Sequence, residues 1–377
     1  MTAGAEAGGP LAGIRVVEFA AQGPGPFCGM LLADLGAEVT LIERAGDGGE
    51  SARFGRSAIF HRGKRSIILD LKRPEDVHTA LRLVARSDAL IEGMRPGVME
   101  RLGLGPDICL ARNPALVYGR VTGWGQDGPL AQSAGHDINY IGLSGALWYA
   151  SPPGEPPVVP ATLIGDVGGG ALYLAVGILA GLLHARAGGA GQVVDAAIVD
   201  GSAHMLNLLF AVRSMGELAS KRGQSAIDGA HWWGSYRCAD GLFITVGSIE
   251  PKFYGELLSR LGLTGELRAE DQNNENTWER GRELFAATFA TKTREEWRRL
   301  LEGTDSCFAP VLNLDEAAAH PHNAARSVFV EMDGMLQAAP APRLSGHTRR
   351  MPGRVPARGE HQEAILAEIA CSAEPIG

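Results

Sequence analysis

The side chains best suited to chemistry in this sequence are a histidine and a carboxylate, His136 and Asp166. His136 lies in the segment 135–140 (Gly-His-Asp-Ile-Asn-Tyr), and Asp166 stands two residues before three consecutive glycines at the head of a long apolar stretch. A histidine and a carboxylate in one pocket can each hold or release a proton near neutral pH, as chemistry at an acidic C–H bond requires. The residues therefore suggest an acid/base pair, provided that the fold brings the two side chains together.

Each of these side chains also has an ordinary structural interpretation. A lone histidine in a loop is most often a satisfied polar residue, and Asp166 is placed to cap a helix that begins near Gly168. Capping would keep the pKa of Asp166 low, whereas partial burial against an apolar helix would raise it. Glu250, directly before Pro251, is typical of a carboxylate at a helix start.

The composition is that of a soluble enzyme-sized protein. The 377 residues suggest two or three domains, and the net charge of -8 argues against a nucleic-acid partner. Five scattered cysteines, none in a Cys-x-x-Cys pair, indicate neither a disulfide framework nor a zinc site. Residues 1–10 lack the features of a signal peptide, so we expect a cytoplasmic protein. The uncharged stretch 167–183 is short for a bilayer, and it predicts a buried helix and no membrane association.

Apolar periodicity predicts a largely parallel α/β sheet in the first third of the chain. The predicted strands cover residues 14–20, 38–43, 65–71, 89–92 and 116–122, with helices over 27–35 and 74–86. Further along, helices are predicted over 167–185 and 196–215, on either side of a strand at 192–195.

Three segments describe the predicted domain organisation. Residues 1–218 form the N-terminal part of a large domain, 219–325 form a linker and a smaller α+β domain, and 326–377 return to the large domain. The smaller domain should contain a hairpin within 236–246 and amphipathic helices over 251–261, 278–289 and 293–301. A final helix is expected near 361–369.

The turn Gly23-Pro24-Gly25-Pro26 invites comparison with a dinucleotide-binding loop, with Glu43 as the ribose ligand. The match is poor, because Gly29 comes four residues after Gly25 rather than three and the prolines remove two N–H donors. A nicotinamide oxidoreductase is therefore a minor alternative.

Basic residues after three predicted strands favour an anionic ligand. Arg44, Lys72 and Arg95 would lie at the carboxyl edge of the sheet, where α/β proteins bind ligands, and they would suit a nucleotide with several phosphates. The other prominent histidines lack neighbouring metal-ligand partners and are interpreted as structural: His204, His231, His320 and His322. We expect no metal and no bound cofactor.

Motifs along nearly the whole chain resemble family III CoA-transferases, the CaiB/BaiF superfamily. They lie at 11–18 (LAGIRVVE), 32–37 (LADLGA), 63–66 (GKRS), 69–72 (LDLK), 95–98 (RPGV), 122–126 (TGWGQ), 191–196 (GQVVDA), 239–241 (ADG) and 359–361 (GEH). Within that family, 135–140 and 246–254 (VGSIEPKFY) are similar to the α-methylacyl-CoA racemase branch. True transferases usually lack a histidine at the position of His136.

This resemblance implies a Rossmann-like large domain with a parallel sheet, a smaller α+β domain and an interlocked homodimer. The active site would lie between the large domain and the small domain of the partner subunit. His136 and Asp166 match the two racemase bases, and Glu250 matches the glutamate that orients the histidine. The resemblance places these residues around the CoA site: Arg44, Ile68, Leu69, Asp70, Leu71, Arg95, Ala134, Gly135, Asp137, Ile138, Asn139 and Tyr140. Lys72 is added to them because of its position after a predicted strand.

The implied activity is interconversion of (2R)- and (2S)-2-methylacyl-CoA thioesters by proton transfer through an enolate, in lipid metabolism, with acyl-CoA as substrate. The chain departs from the branch at 227–233 (IDGAHWW), where racemases commonly read Leu-Asp-Gly-Gly-Ala-Pro before an aromatic residue. This bulkier segment is expected to alter acyl specificity. The main alternative is a CoA-transferase that acts through an Asp166 anhydride, and another is a non-catalytic CoA-binding module.

Overall fold

A six-stranded parallel sheet forms the centre of the larger of two compact units. The computed structural model describes residues 8–46 and 53–371. Its sheet strands are β1 (Arg15–Phe19), β2 (Glu38–Arg44), β3 (Arg65–Leu69), β4 (Ala89–Glu92), β5 (Val117–Thr122) and β6 (Gln192–Ala197). Their order is β3-β2-β1-β4-β5-β6, which is that of doubly wound nucleotide-binding folds. The predicted α/β class is therefore confirmed.

Helices cover both faces of this sheet because neighbouring strand residues point to opposite sides. Val16 packs in a cluster with Leu32 of the first helix, whereas Val17 packs with Leu81 of the second. The helices of this part of the chain are α1 (Pro24–Asp34), α2 (Pro74–Val84), α3 (Val98–Arg101), α4 (Pro106–Arg112), α5 (Asp137–Ser144), a π-helix (Leu163–Ala171), α6 (Leu172–Arg186) and α7 (Ile198–Met205), with short 3-10 turns at Gly55–Ser57 and Ile59–His61.

The smaller unit is an α+β structure with an aromatic core. Its antiparallel sheet contains β7 (Trp233–Arg237), β8 (Phe243–Gly247) and β9 (Phe308–Pro310), so the predicted hairpin is confirmed. The ring of Phe289 stacks on that of Tyr236, with 5.3 Å between the ring centroids, and meets Trp297 edge to face, with 5.1 Å between the centroids. The helices are α8 (Asn207–Ser214), α9 (Ala226–Gly229), α10 (Pro251–Leu261), α11 (Glu275–Phe289), α12 (Arg294–Leu301), α13 (Leu314–Ala319) and α14 (Pro321–Ala325), with a 3-10 turn at Ala269–Asp271.

The boundaries of the two units follow long-range contacts. The smaller unit comprises Leu147–Val159 and Leu206–Arg326, whereas the sequence division began it at residue 219. Within this unit, Trp148 donates a hydrogen bond to the carbonyl of Ser220 and Tyr149 to that of Ala219. The chain then returns to the larger unit with β10 (Phe329–Met332), β11 (Met335–Ala338) and α15 (Gln362–Ala370).

A fully buried ion pair lies beneath α1. Lys64 Nζ donates to both Glu18 carboxylate oxygens, at 2.8 and 2.6 Å, and to the carbonyl of Pro26 at 3.0 Å. A Cβ at Gly29 would lie 1.7 Å from Glu18 Oε2, so only glycine lets α1 pass over the pair. The glycine spacing that departs from a dinucleotide-binding loop is thus explained by this contact.

The long apolar helix is more exposed than the sequence predicts. The π-helix runs directly into α6, where Ile178 packs onto the sheet while Val176 and Leu183 are 65% and 72% exposed. Residues 163–186 are long and apolar enough to cross a bilayer, and 39% of their most apolar window is buried. The expectation of a buried helix was therefore wrong for one of its faces.

Replacing Lys64 with methionine should destabilise the fold by about 3–5 kcal/mol, because it leaves the Glu18 carboxylate buried without its cation. Urea denaturation followed by circular dichroism measures this loss. Arg260→Met is the matched control, since Arg260 pairs with Glu256 at the surface and should contribute about 0.5 kcal/mol. Equal losses in the two variants would contradict the importance assigned to the buried pair.

Candidate active site

His136 stands at the start of a helix rather than inside a loop. Its backbone is extended, with φ -136° and ψ 174°, and α5 begins at the next residue. The N–H of His136 donates to Asn139 Oδ1 at 3.0 Å, and the N–H of Asn139 donates to the His136 carbonyl at 2.8 Å. These bonds hold His136 at the positive end of α5 while its side chain remains exposed.

Asp166 lies inside the π-helix, in its first turn. This helix begins at Leu163, after Thr162 in a left-handed conformation with φ 65°, and not near Gly168 as predicted. Asp166 therefore does not have the alternative role of a helix cap. Among the residues that the structure describes, none donates a hydrogen bond to its carboxylate.

Asp137 takes the capping role instead. Its Oδ1 accepts the N–H of Asp166 at 2.8 Å, and its Oδ2 accepts the N–H of Thr162 at 3.2 Å. A Cβ at Gly165 would lie 2.4 Å from Asp137 Oδ1, so glycine is required there. The side chain of Asp137, which the family resemblance places in the CoA site, is buried and occupied by these two backbone groups.

Glycines after Asp166 let two helices meet backbone to backbone. A Cβ on Gly169 would lie 2.4 Å from Ser202 Oγ of α7, and a Cβ on Gly201 would lie 2.0 Å from the Gly169 carbonyl oxygen. On the other side, Gly170 faces Pro24 of α1, with 3.2 Å between its would-be Cβ and Pro24 Cβ. The close packing fixes the π-helix, and with it the position of Asp166.

The surroundings of Asp166 raise the pKa of its carboxyl group above the usual value for aspartate. Burial and the nearby negative charge of Asp137 raise the pKa of Asp166 to about 6, and His136 opposes this rise. Asp166 is half-buried, and its Oδ2 faces the glycine loop after β1, 3.6 Å from where a Cβ of Gly23 would stand. Asp166 can therefore exchange a proton near neutral pH, close to His136.

Tyr140 supports the loop that carries His136. Its hydroxyl donates to the Gly135 carbonyl, and its ring meets Trp124 edge to face at 4.7 Å. The ring lies so close to Gly123 that a Cβ there would be 2.0 Å away. Burial and the charge of Asp166 raise the pKa of Tyr140, so the hydroxyl stays protonated and acts as a donor.

The predicted CoA residues lie at the carboxyl edge of the sheet. Arg44 ends β2 opposite Leu69 of β3 and is exposed, as are Lys72 and Arg95. Ile68 binds Gln362 of α15 through both backbone groups, its N–H donating at 2.8 Å. The remaining predicted residues vary in exposure, with Ala134, Ile138 and Asn139 exposed, Asp70 and Leu71 partly buried, and Leu69 buried.

Arg358 is a cation at this edge that the sequence interpretation missed. Its guanidinium donates to the carbonyl of Arg44, although the two residues are far apart in the chain. The signal was its position directly before the 359–361 motif. The C-terminal segment thus adds a positive charge where the first strands end.

Glu250 belongs to the smaller unit. It precedes α10 as predicted, and its carbonyl accepts the N–H groups of Phe253 and Tyr254 at 3.0 Å. Its side chain is exposed and makes no capping hydrogen bond. The carboxylate therefore has no structural task within α10.

The segment 227–233 contributes mainly to the core of the smaller unit. His231 Nε2 lies 2.7 Å from the Tyr254 hydroxyl, and burial lowers the pKa of His231 to about 4, so its ring is neutral. Trp232 donates to the Gln272 carbonyl at 2.9 Å and is also buried. Trp233 alone of these three side chains is exposed, at 43%, so the departure from the racemase pattern presents one large ring to the surface.

Comparison with known proteins agrees with this architecture. The chain is 44% identical to alpha-methylacyl-CoA racemase of Mus musculus and 42% identical to that of Homo sapiens, over 97% of this chain and 95% of each relative. A CAIB/BAIF family protein from Brucella suis has a solved structure similar to this one, with a TM-score of 0.79 and 27% identity over 96% of this chain and 100% of that one. The profile of CoA-transferase family III matches residues 11–362, and the protein is a member of that family.

Proposed function

We propose that the protein is an α-methylacyl-CoA racemase that interconverts (2R)- and (2S)-2-methylacyl-CoA thioesters. The observation that carries the proposal is the link between His136 and Asp166. Asp137, the residue after His136, binds the N–H of Asp166, and His136 is near enough to influence the pKa of Asp166. The mouse and human relatives are named for this activity.

In the proposed reaction the two side chains act on opposite faces of one enolate. A thioester α-proton is a far weaker acid than imidazolium or a carboxylic acid, so the site must also stabilise the enolate. Neutral His136 removes the α-proton from one enantiomer, and the carboxyl proton of Asp166 then bonds to the α-carbon from the other face. The product state has protonated His136 and ionised Asp166, and the reverse reaction starts from that state.

The enolate oxygen requires hydrogen-bond donors. Asp137 and Ile138 open α5, and the first N–H groups of a helix have no carbonyl partner within it. We assign these two groups to the thioester oxygen, since they follow His136 directly. We also propose, as the family resemblance implies, that Glu250 of the partner subunit orients the His136 ring.

CoA is assigned to the carboxyl edge of the sheet. Arg44, Arg95 and Arg358 are guanidinium groups at or near strand ends, and guanidinium is well matched to phosphate. Their arrangement agrees with a ligand that carries several phosphates. We also propose a role in lipid metabolism and a cytoplasmic location.

A CoA-transferase is the second candidate, because no described residue donates a hydrogen bond to the Asp166 carboxylate. In that reaction Asp166 attacks the thioester carbonyl and the CoA thiolate leaves, which gives a mixed anhydride. The thiolate then attacks the Asp166 carbonyl and releases the donor acid as a free carboxylate. The acceptor carboxylate attacks the aspartyl-CoA thioester to form a second anhydride, from which the thiolate takes the acceptor acyl group and frees Asp166. An acceptor carboxylate is then obligatory. His136 has no necessary part in that chemistry.

We also propose a homodimer. The face of α6 that carries Leu172, Val176 and Leu183 is exposed in the single chain, and no residue of α8 is buried. Leu172, Val176 and Leu183 recur at helical spacing on one face of α6, and monomeric soluble proteins rarely leave an apolar helix face in water. A second copy of the chain would cover it.

Incubation with a chiral 2-methylacyl-CoA in deuterated water should give α-deuteration and loss of optical activity with no added acceptor acid. His136→Ala should lose racemisation while CoA binding, measured by calorimetry, stays within about twofold of wild type. Exchange that requires a carboxylic acid acceptor, together with trapping by hydroxylamine, would establish the transferase instead.

The pH profile of kcat/KM should be a bell with the same shape for both enantiomers, since both reactive forms hold one proton between the two side chains. The rate falls at low pH because Asp166, with a pKa of about 6, and His136 are then both protonated and no base remains. It falls at high pH because both side chains are deprotonated and no acid remains. A nucleophilic Asp166 needs only the ionised form, so a transferase rate would rise through about pH 6 and then stay level. Stopped assays at several pH values separate the two shapes.

Val176→Glu should convert the dimer to a monomer, because it places a charge in the covered apolar face. In a monomer Val176 is 65% exposed, so the same substitution should lower the free energy of unfolding by less than about 0.5 kcal/mol. Sedimentation velocity measures the change, with Leu314→Glu, at a 78% exposed position of α13, as the control. A monomeric wild-type protein would refute the proposal.

A further inference from the structure

The Asp137 carboxylate is buried without a cation. Among the residues described by the structure, no lysine, arginine or histidine forms an ion pair with it, and its partners are the N–H groups of Asp166 and Thr162. Burial of a charge is costly unless it is well hydrogen-bonded. The two N–H groups bind different oxygens of Asp137. An asparagine would have an NH₂ group in place of one of these oxygens and could accept only one of the two bonds, so the two donors explain why a carboxylate stands at this position.

The two bonds join the elements that carry the proposed bases. Asp137 directly follows His136 in the chain, and one of its oxygens is 2.8 Å from the backbone nitrogen of Asp166 itself. Gly165 lies against the same oxygen, closely enough that a Cβ would stand 2.4 Å from it. A shift of the Asp137 side chain would therefore move Asp166 relative to His136.

We propose that Asp137 is a positioning residue for the reaction, a single carboxylate that fixes Asp166 relative to His136. The inference rests on the proposed racemase function. It gives Asp137 a side-chain role in the site that is separate from any contact of its backbone with substrate.

Burial is the main cause of the raised pKa of Asp166, and Asp137 is the neighbouring charge that adds to it. Its negative charge raises the pKa of Asp166 and His136 acts in the opposite direction, while Tyr140 is neutral when protonated. The loop before α1 presents the uncharged Gly23. The other charged or titratable groups on elements packed against the π-helix are Cys28 and Asp34 of α1, Tyr118 and Arg120 of β5, Tyr173, His184 and Arg186 of α6, Asp195 of β6, and Asp200 and His204 of α7.

Asp137→Asn is expected to shift the bell-shaped pH profile of α-exchange to lower pH by roughly one unit, because it removes the like charge beside Asp166. It should also lower kcat by more than about tenfold, with a much smaller change in KM for acyl-CoA. Asp107→Asn, at an exposed site on α4, is the control and should change neither quantity.

Gly165→Ala separates position from charge. Its new methyl group displaces the Asp137 carboxylate but keeps a negative charge near Asp166, so kcat should fall while the pH optimum remains within about 0.3 units of wild type. An Asp137→Asn variant with the kcat and pH optimum of wild type would overturn the proposal.

A titration that needs no turnover keeps this inference distinct from the racemase proposal. The carboxyl carbon of Asp166, assigned by comparison with Asp166→Asn, should titrate near pH 6 in wild type and at lower pH in Asp137→Asn when followed by carbon NMR. Circular dichroism establishes that each variant is folded. Unchanged titration would refute the role of Asp137 even if the wild type racemises its substrate, whereas a shift without racemisation would refute the racemase alone.

Discussion

The buried ion pair between Lys64 and Glu18 is the constraint on which the larger unit depends. Glu18 lies on the central strand β1, and Lys64 also binds the Pro26 carbonyl in the first turn of α1. The pair thus ties the middle of the sheet to the helix above it, and it requires Gly29 to have no side chain. Because a buried charge is stable only with its partner, the position of α1 is held closely.

From α1 the constraint extends to the candidate site. Pro24 packs against Gly170 of the π-helix, and Gly169 packs against α7 with no room for a Cβ. Asp137 then connects the π-helix to the start of α5, beside His136. The proposed bases are therefore positioned by backbone contacts and one buried carboxylate, while Asp166 keeps its own carboxylate available for proton transfer.

Local patterns predicted most of the elements because their causes are local. Alternation and apolar runs located the strands of the parallel sheet and the hairpin of the smaller unit, and Pro251 marked the start of α10 to the residue, whereas β9, β10 and β11 were not predicted. One error was local: the segment at the start of α5 was interpreted as a loop, because its capping bonds join His136 and Asn139 and no apolar repeat announces them. Other errors arose where distant residues decide the outcome. The segment Leu147–Val159 joins the smaller unit through contacts with residues 219 and 220, which no local pattern contains.

The sequence by itself determined the element types, the parallel sheet and the candidate acid and base, because apolar period, turn residues and side-chain chemistry are written in short segments. It also carried the family resemblance that paired His136 with Asp166. Only the tertiary structure decided which carboxylate caps the helix and which remains available. Asp137 and Asp166 are both aspartates near helix starts, and their roles differ because Asp137 meets two unpaired N–H groups while Asp166 is turned toward Gly23. Such a division depends on the packing of segments far apart in the chain, and that packing is a property of the whole fold.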